Sequence, residues 1–114
     1  MQGQQLSFVK QKRKQKPETE VLNGIRKWLQ YCGWYVVRMQ QGLGCHKGLA
    51  DLYAIKHGVN LWIEVKLPNN PRSVQSDHQK EFEYNIQSKG GHYLVARCWQ
   101  AVRDYITENC RGCL

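Results

Sequence analysis

Acidic residues are scarce in this chain. Nine Asp and Glu stand against seventeen Lys and Arg, for a net charge of +8 over 114 residues. The imbalance fits a polyanionic partner bound through phosphate contacts and counterion release, although a basic protein without such a partner has the same composition. Long hydrophobic runs are also lacking, and the apolar stretches present are far too short to span a bilayer. The first residues, Met1-Gln2-Gly3-Gln4-Gln5, hold no apolar region, so a secretory signal is not expected. The five cysteines are an odd number, which rules out a fully paired disulfide framework. Cys32 and Cys98 lie in or beside apolar segments and read as small core residues. A reducing, cytoplasmic setting follows. Cys110-Arg111-Gly112-Cys113 has metal-ligand spacing without a second matching pair and reads as a frayed tail. A small zinc-binding adaptor, completed by Cys45-His46, is the weaker alternative. There are no internal repeats. The length sets one domain, and its hydrophobic fraction of 41% is ordinary for a folded protein.

Residues 1–16 are rich in Gln and Lys and poor in apolar side chains, and read as a basic, flexible arm. Within it Lys12, Arg13 and Lys14 are candidates for adding DNA affinity. A folded domain over 17–109 follows, and 110–114 form a short tail. Pro17 suits the first turn of a helix reaching Tyr31, and Val21, Leu22, Ile25, Trp28 and Leu29 share one face of it. Gly33 stops that helix, and Trp34–Met39 reads as a strand. After a polar loop over 40–47 come two apolar, strand-like runs, Leu49–Ile55 and Leu61–Leu67. Beyond a Pro- and Asn-containing loop, Ser76 opens a second helix to about Lys89, with Phe82 and Ile86 inward. Gly90-Gly91 ends it, His92–Arg97 is a fourth strand, and Trp99–Asn109 a last helix with Val102, Tyr105 and Ile106 on one face. The expected fold is α/β, in the order α-β-β-β-α-β-α, with a central mixed sheet flanked by helices.

The chemistry concentrates in the two charged strands. A turn at His57-Gly58 pairs residues whose numbers sum to 115, which sets Asp51 opposite Glu64. Lys66, two residues on, shares their face, while Leu61, Ile63, Val65 and Leu67 point into the core. Charges inside apolar strands are costly unless paired, hydrated or bound to metal. Two carboxylates on facing strands can hold a hard divalent cation such as Mg2+, which can activate water and offset charge on a phosphoryl group. A surface ion pair with Lys66 explains the same residues more plainly.

Gly48-Leu49-Ala50-Asp51 followed by Trp62-Ile63-Glu64-Val65-Lys66 resembles the signature of PD-(D/E)xK nucleases, and more narrowly the VRR-NUC branch with its restriction-endonuclease-like core. That branch has a Glu on the first helix, an Arg ending the first strand, Gly-x-x-Asp, Glu-x-Lys and a Gln on the next helix. Glu18 or Glu20, Arg38, Gly48 with Asp51, Glu64 with Lys66, and Gln79 match these in turn. Ala50 departs from the pattern, where Pro is common. The resemblance covers roughly residues 17–108. It implies an Mg2+- or Mn2+-dependent DNA endonuclease, with Asp51, Glu64, the Val65 carbonyl and a helix glutamate on the metal, and with Lys66 and Gln79 catalytic. It further implies a homodimer, like phage or bacterial members acting on branched DNA such as Holliday junctions. Helical periodicity favours Glu18 over Glu20 as the residue that reaches the sheet. Ser76-x-x-Gln79 is also a capping box, so Gln79 has a structural reading beside the catalytic one. Arg38 and Lys47 are candidates for phosphate contact, and equally for solvated surface. His46, His57, His78 and His92 lack convincing ligand spacing. The competing function is a non-catalytic, basic DNA-binding module.

Overall fold

A computed structural model describes residues 17–113. The arm over 1–16, with Lys12, Arg13 and Lys14, lies outside the described residues. The elements are α1 (Pro17–Tyr31), β1 (Tyr35–Arg38), β2 (Leu52–Lys56), β3 (Val59–Val65), α2 (Asp77–Ser88), β4 (His92–Ala96) and α3 (Trp99–Asn109). Their order is the expected α-β-β-β-α-β-α, and the strands form one sheet in the order β1-β2-β3-β4. The first two pairings are antiparallel and β3–β4 is parallel. A parallel neighbour needs a long crossover, which α2 supplies.

Leu22, Ile25 and Leu29 of α1 and Val102 and Ile106 of α3 are buried against one sheet face, formed by Leu52, Ala54, Leu61, Ile63, Val65 and Ala96. Trp28 and Trp99 stack between the two helices at 5.5 Å. On the opposite face Phe82 of α2 covers Ala50 and Tyr93, with Trp62 and Val95 alongside. Trp62 also packs on Tyr53, with ring centroids 4.7 Å apart. The strict in/out alternation of β3 thus divides two unequal cores: branched aliphatics on the α1/α3 side, aromatics on the α2 side.

The hairpin register is the expected one. Pairs from Leu52↔Ile63 to Lys56↔Val59 all follow the sum of 115. His57 (φ 51°) and Gly58 (φ 80°) are both left-handed, as a type I′ turn demands. The ladder stops short of Asp51, however. The Asp51 amide bonds Ile63 O at 3.0 Å, so Asp51 and Leu52 both address Ile63, the pattern of a β-bulge. Asp51 therefore does not sit squarely opposite Glu64. Its Oδ2 accepts the Val65 amide at 2.7 Å, a bond the regular ladder would give to the Ala50 carbonyl.

Two expectations about cysteine are corrected. Cys98, expected in the core, is exposed at the start of α3. Cys110 and Cys113 are not in a frayed tail but are buried in the α1/α3 core, where the Trp34 indole donates to Cys113 O at 3.2 Å. Burial, and secondarily the neighbouring Cys113, pushes the Cys110 thiol up. Cys45-His46 cannot complete a zinc site with them, because the His46 ring packs on Phe82 across the sheet.

Candidate active site

The site forms where β2 begins, β3 ends and α2 starts. Glu64 is buried at 2% exposure, and its Oε2 accepts from Gln79 Nε2 at 2.7 Å. Lys66 Nζ lies 3.6 Å from that same oxygen and donates to Gln79 Oε1 at 3.1 Å. Gln79 Oε1 also accepts the Ser76 amide at 2.9 Å, while Ser76 Oγ accepts the Gln79 amide at 3.2 Å. The two readings of Gln79 therefore hold at once: it closes the capping box and joins Glu64 to Lys66. The cap fixes the rotamer that makes the bridge.

Among the described residues, Glu64 Oε1 is buried and has no hydrogen-bond partner. Burial foremost, and then the adjacent Asp51 carboxylate, pushes the Glu64 carboxyl up to about 8, against the smaller opposing pull of Lys66. A buried acceptor with no donor is costly. A divalent cation would satisfy it and reverse the sign of the local electrostatics, making both carboxylates favourable as anions. The carboxylates of Asp51 and Glu64 are hard oxygen donors, and they fit Mg2+ or Mn2+ rather than a thiophilic metal. Val65, expected to lend its carbonyl, has its side chain in the core and its amide on Asp51.

Glu18 and Arg38 line a cleft of about 390 Å³ together with Asp51 and Gln41. Glu20 faces a separate groove beside Trp99 and Arg97. The structure thus sets Glu18, not Glu20, on the side of Asp51. It does not bring Glu18 into the cluster: among the described residues, no three His, Cys, Asp or Glu side chains stand close enough to hold a metal ion. The expected three-carboxylate ligand set is consequently not assembled. Lys47 is exposed on a second cleft of about 440 Å³, beside His46, His78 and Gln79. His57 lies in the hairpin turn, and His92 contacts the Tyr105 hydroxyl at 3.0 Å.

Gly48 has a steric reason. Its φ is +78°, and a Cβ there would meet His78 O at 2.1 Å and Gln79 N at 2.9 Å. Only glycine lets the loop before Asp51 close onto the first turn of α2, which is how Asp51 and Gln79 reach one site.

Two residues escaped the sequence reading. Gln41 Nε2 donates to Asp51 Oδ1 at 3.0 Å and to Leu49 O at 2.9 Å, holding the carboxylate that the bulge re-aims. A glutamine in a polar loop carries no periodic signal. Arg97 donates to Leu67 O at 2.5 Å and Ser73 O at 2.6 Å, pinning the loop between Lys66 and the α2 cap. Its place at the end of β4 was legible, its partners were not.

The geometry has counterparts among solved structures. One described as a VRR_NUC domain superposes with a TM-score of 0.69 at 20% identity, covering 83% of this chain and 99% of its own. Another, described as a VRR_NUC domain protein, gives 0.66 at 20% identity over 87% and 92%. No family model matches the chain, and no curated protein does. At this identity the likeness establishes the fold: this chain has the architecture of a VRR_NUC domain. No helix among the described residues is long and apolar enough to cross a membrane.

Proposed function

We propose that the protein is a divalent-metal-dependent DNA endonuclease that hydrolyses phosphodiester bonds and prefers branched DNA. The observation that carries this reading is Glu64 Oε1, buried and unbonded beside a second carboxylate, with Lys66 held on the same face by Gln79. A buried carboxylate oxygen without a protein donor, beside a second carboxylate, is the arrangement that a bound cation relieves. Asp51 and Glu64 would hold Mg2+ or Mn2+ through their carboxylates, helped by the carbonyl of Val65, the residue between Glu64 and Lys66, with Glu18 approaching across the cleft. The bound ion supplies Lewis acidity and lowers the pKa of water. The chain's own groups do the remainder. Gln79 keeps the Lys66 ammonium beside the acid pair, where it can bind a phosphate oxygen and offset charge gathering there. Gln41 and the Val65 amide fix the two oxygens of Asp51. Arg38 and Lys47, exposed on the two flanking clefts, supply cationic contacts to the DNA backbone. Two cuts across one junction need two sites, so a homodimer is the expected working form.

The test is incubation with four-way junction, flap and linear DNA in Mg2+, Mn2+ or EDTA. Cleavage in either metal, abolished by EDTA, is expected. Intact DNA under every condition would leave only the non-catalytic binding module.

A further inference from the structure

Leu43 is fully exposed, at the tip of the loop that leads from β1 to Asp51. Single exposed leucines are ordinary on protein surfaces. This one differs in how it is held and in what surrounds it. The Cys45 amide donates to Gly42 O at 3.2 Å, and Gly44 has φ +86°, so Gly42–Cys45 is a closed turn of type II with Leu43 at its first corner. The Gly42 amide bonds Cys45 Sγ at 3.4 Å, tightening the same turn. Among the described residues, a Cβ at Gly42 or at Gly44 would meet no atom within 4 Å, so the tip stands clear of the other described residues. The stems are tied down: Gln41 bonds Asp51 and Leu49 on one side, and the His46 ring packs on Phe82 on the other.

The surroundings select the partner. From Arg38 through Ala50 there is no acidic residue, while Arg38 and Lys47 flank the turn. The side chains next to Leu43 along the chain are Gln41, two glycines and Cys45, so its neighbours in sequence do not extend it into an apolar patch. A protein interface needs such a patch, on the order of 800 Å² per partner with an apolar centre. A wedge entering a base step needs one apolar side chain, a stiff mount and cationic neighbours for the phosphates.

We infer that Leu43 is a wedge that inserts between unstacked bases where DNA strands branch, beside the phosphate that the site of Asp51, Glu64 and Lys66 would act on. This deepens the nuclease reading and rests on it. It gives a physical basis for preferring branched DNA, because a base step at a branch point is cheaper to open than one inside a regular duplex. Burying a wholly exposed leucine side chain corresponds to roughly ten- to hundredfold in affinity.

The test uses a four-way junction with 2-aminopurine beside the branch point, and a perfect duplex of the same length, both in Ca2+. Wild-type protein should raise 2-aminopurine fluorescence on the junction. Leu43→Ala and Leu43→Ser should lose that rise and roughly ten- to hundredfold of the junction-over-duplex preference, whereas Leu43→Met should keep both. Thermal melting and sedimentation of these variants should match wild type, since Leu43 is fully exposed among the described residues. An equal fluorescence rise in Leu43→Ala overturns the proposal, and so does a wild-type protein that binds neither DNA. Conversion of a dimer to monomers by Leu43→Ala also overturns it, in favour of a contact between copies. Cleavage in Mg2+ or Mn2+ is scored separately. A fluorescence rise without any cleavage would sink the nuclease reading and leave the wedge standing.

Discussion

A carboxyl buried beside another carboxyl is stable only when it is protonated or bound to a cation. Glu64 is in that position, with its pKa raised to about 8 by burial and by Asp51. A folded-state pKa above the unfolded one means that the folded protein binds the extra proton. Its stabilising effect is then fully present below about pH 4.5 and is lost as pH rises through about 8. The metal-free protein should therefore lose stability, by on the order of a few kcal/mol, between about pH 4.5 and 8 in urea denaturation, with no further loss from this group above that. Glu64→Gln should flatten that slope, and so should saturating Mg2+ in the wild type, because the cation favours the ionised form. At the same scale, Ser76→Ala and Gln79→Ala separate two roles. Ser76→Ala removes only the Oγ half of the cap and keeps the Ser76 amide on Gln79 Oε1, so it should cost about 1 kcal/mol with cleavage largely kept. Gln79→Ala removes the cap and also frees Lys66, so cleavage should fall at least tenfold beyond any loss of fold, measured on protein shown to be folded by circular dichroism.

At the scale of elements, the hairpin and the α2 cap were both legible because each is a short-range rule. His57-Gly58 sets the register by turn chemistry, and Ser76-x-x-Gln79 sets the helix start by backbone hydrogen bonding. The bulge at Asp51 was not legible, because it depends on a side chain competing with the Ala50 carbonyl for the Val65 amide, a choice made only once the sheet exists. Gly48 was visible as part of a motif, but its cause, the nearness of His78 and Gln79 backbone, is a contact between distant segments. Gly48→Ala combines that collision with a left-handed φ. It should cost about 1–3 kcal/mol or displace the loop, and cleavage should drop more steeply than stability. His57→Asn, by contrast, should raise the urea midpoint slightly, since asparagine tolerates φ near 51° better than histidine does.

For the whole molecule, the α-β-β-β-α-β-α order and the inward faces of α1 and α3 followed from periodicity and turn signals, and the mixed sheet from the resemblance to a restriction-endonuclease-like core. The last residues did not. A polar, glycine-containing tail gives no amphipathic signal, yet Cys110 and Cys113 complete the core under Trp34. Removing residues 110–114 should therefore destabilise the domain by several kcal/mol, as loss of two buried side chains and one buried hydrogen bond requires, and should alter Trp34 fluorescence. The likeness to VRR_NUC structures fixes the architecture that presents Asp51, Glu64 and Lys66 on one side of the sheet. The chemistry rests on those residues themselves.

The most direct measurement is the single-turnover rate at which wild type and Lys66→Ala cut a four-way junction in saturating Mn2+, with both proteins shown to be folded. Among the described residues the Lys66 ammonium bonds Gln79 and lies 3.6 Å from Glu64, and its side chain belongs to neither hydrophobic core. The account expects the variant to be slower by about a hundredfold or more, as removal of a charge-stabilising group does. Equal rates for the two proteins would contradict it.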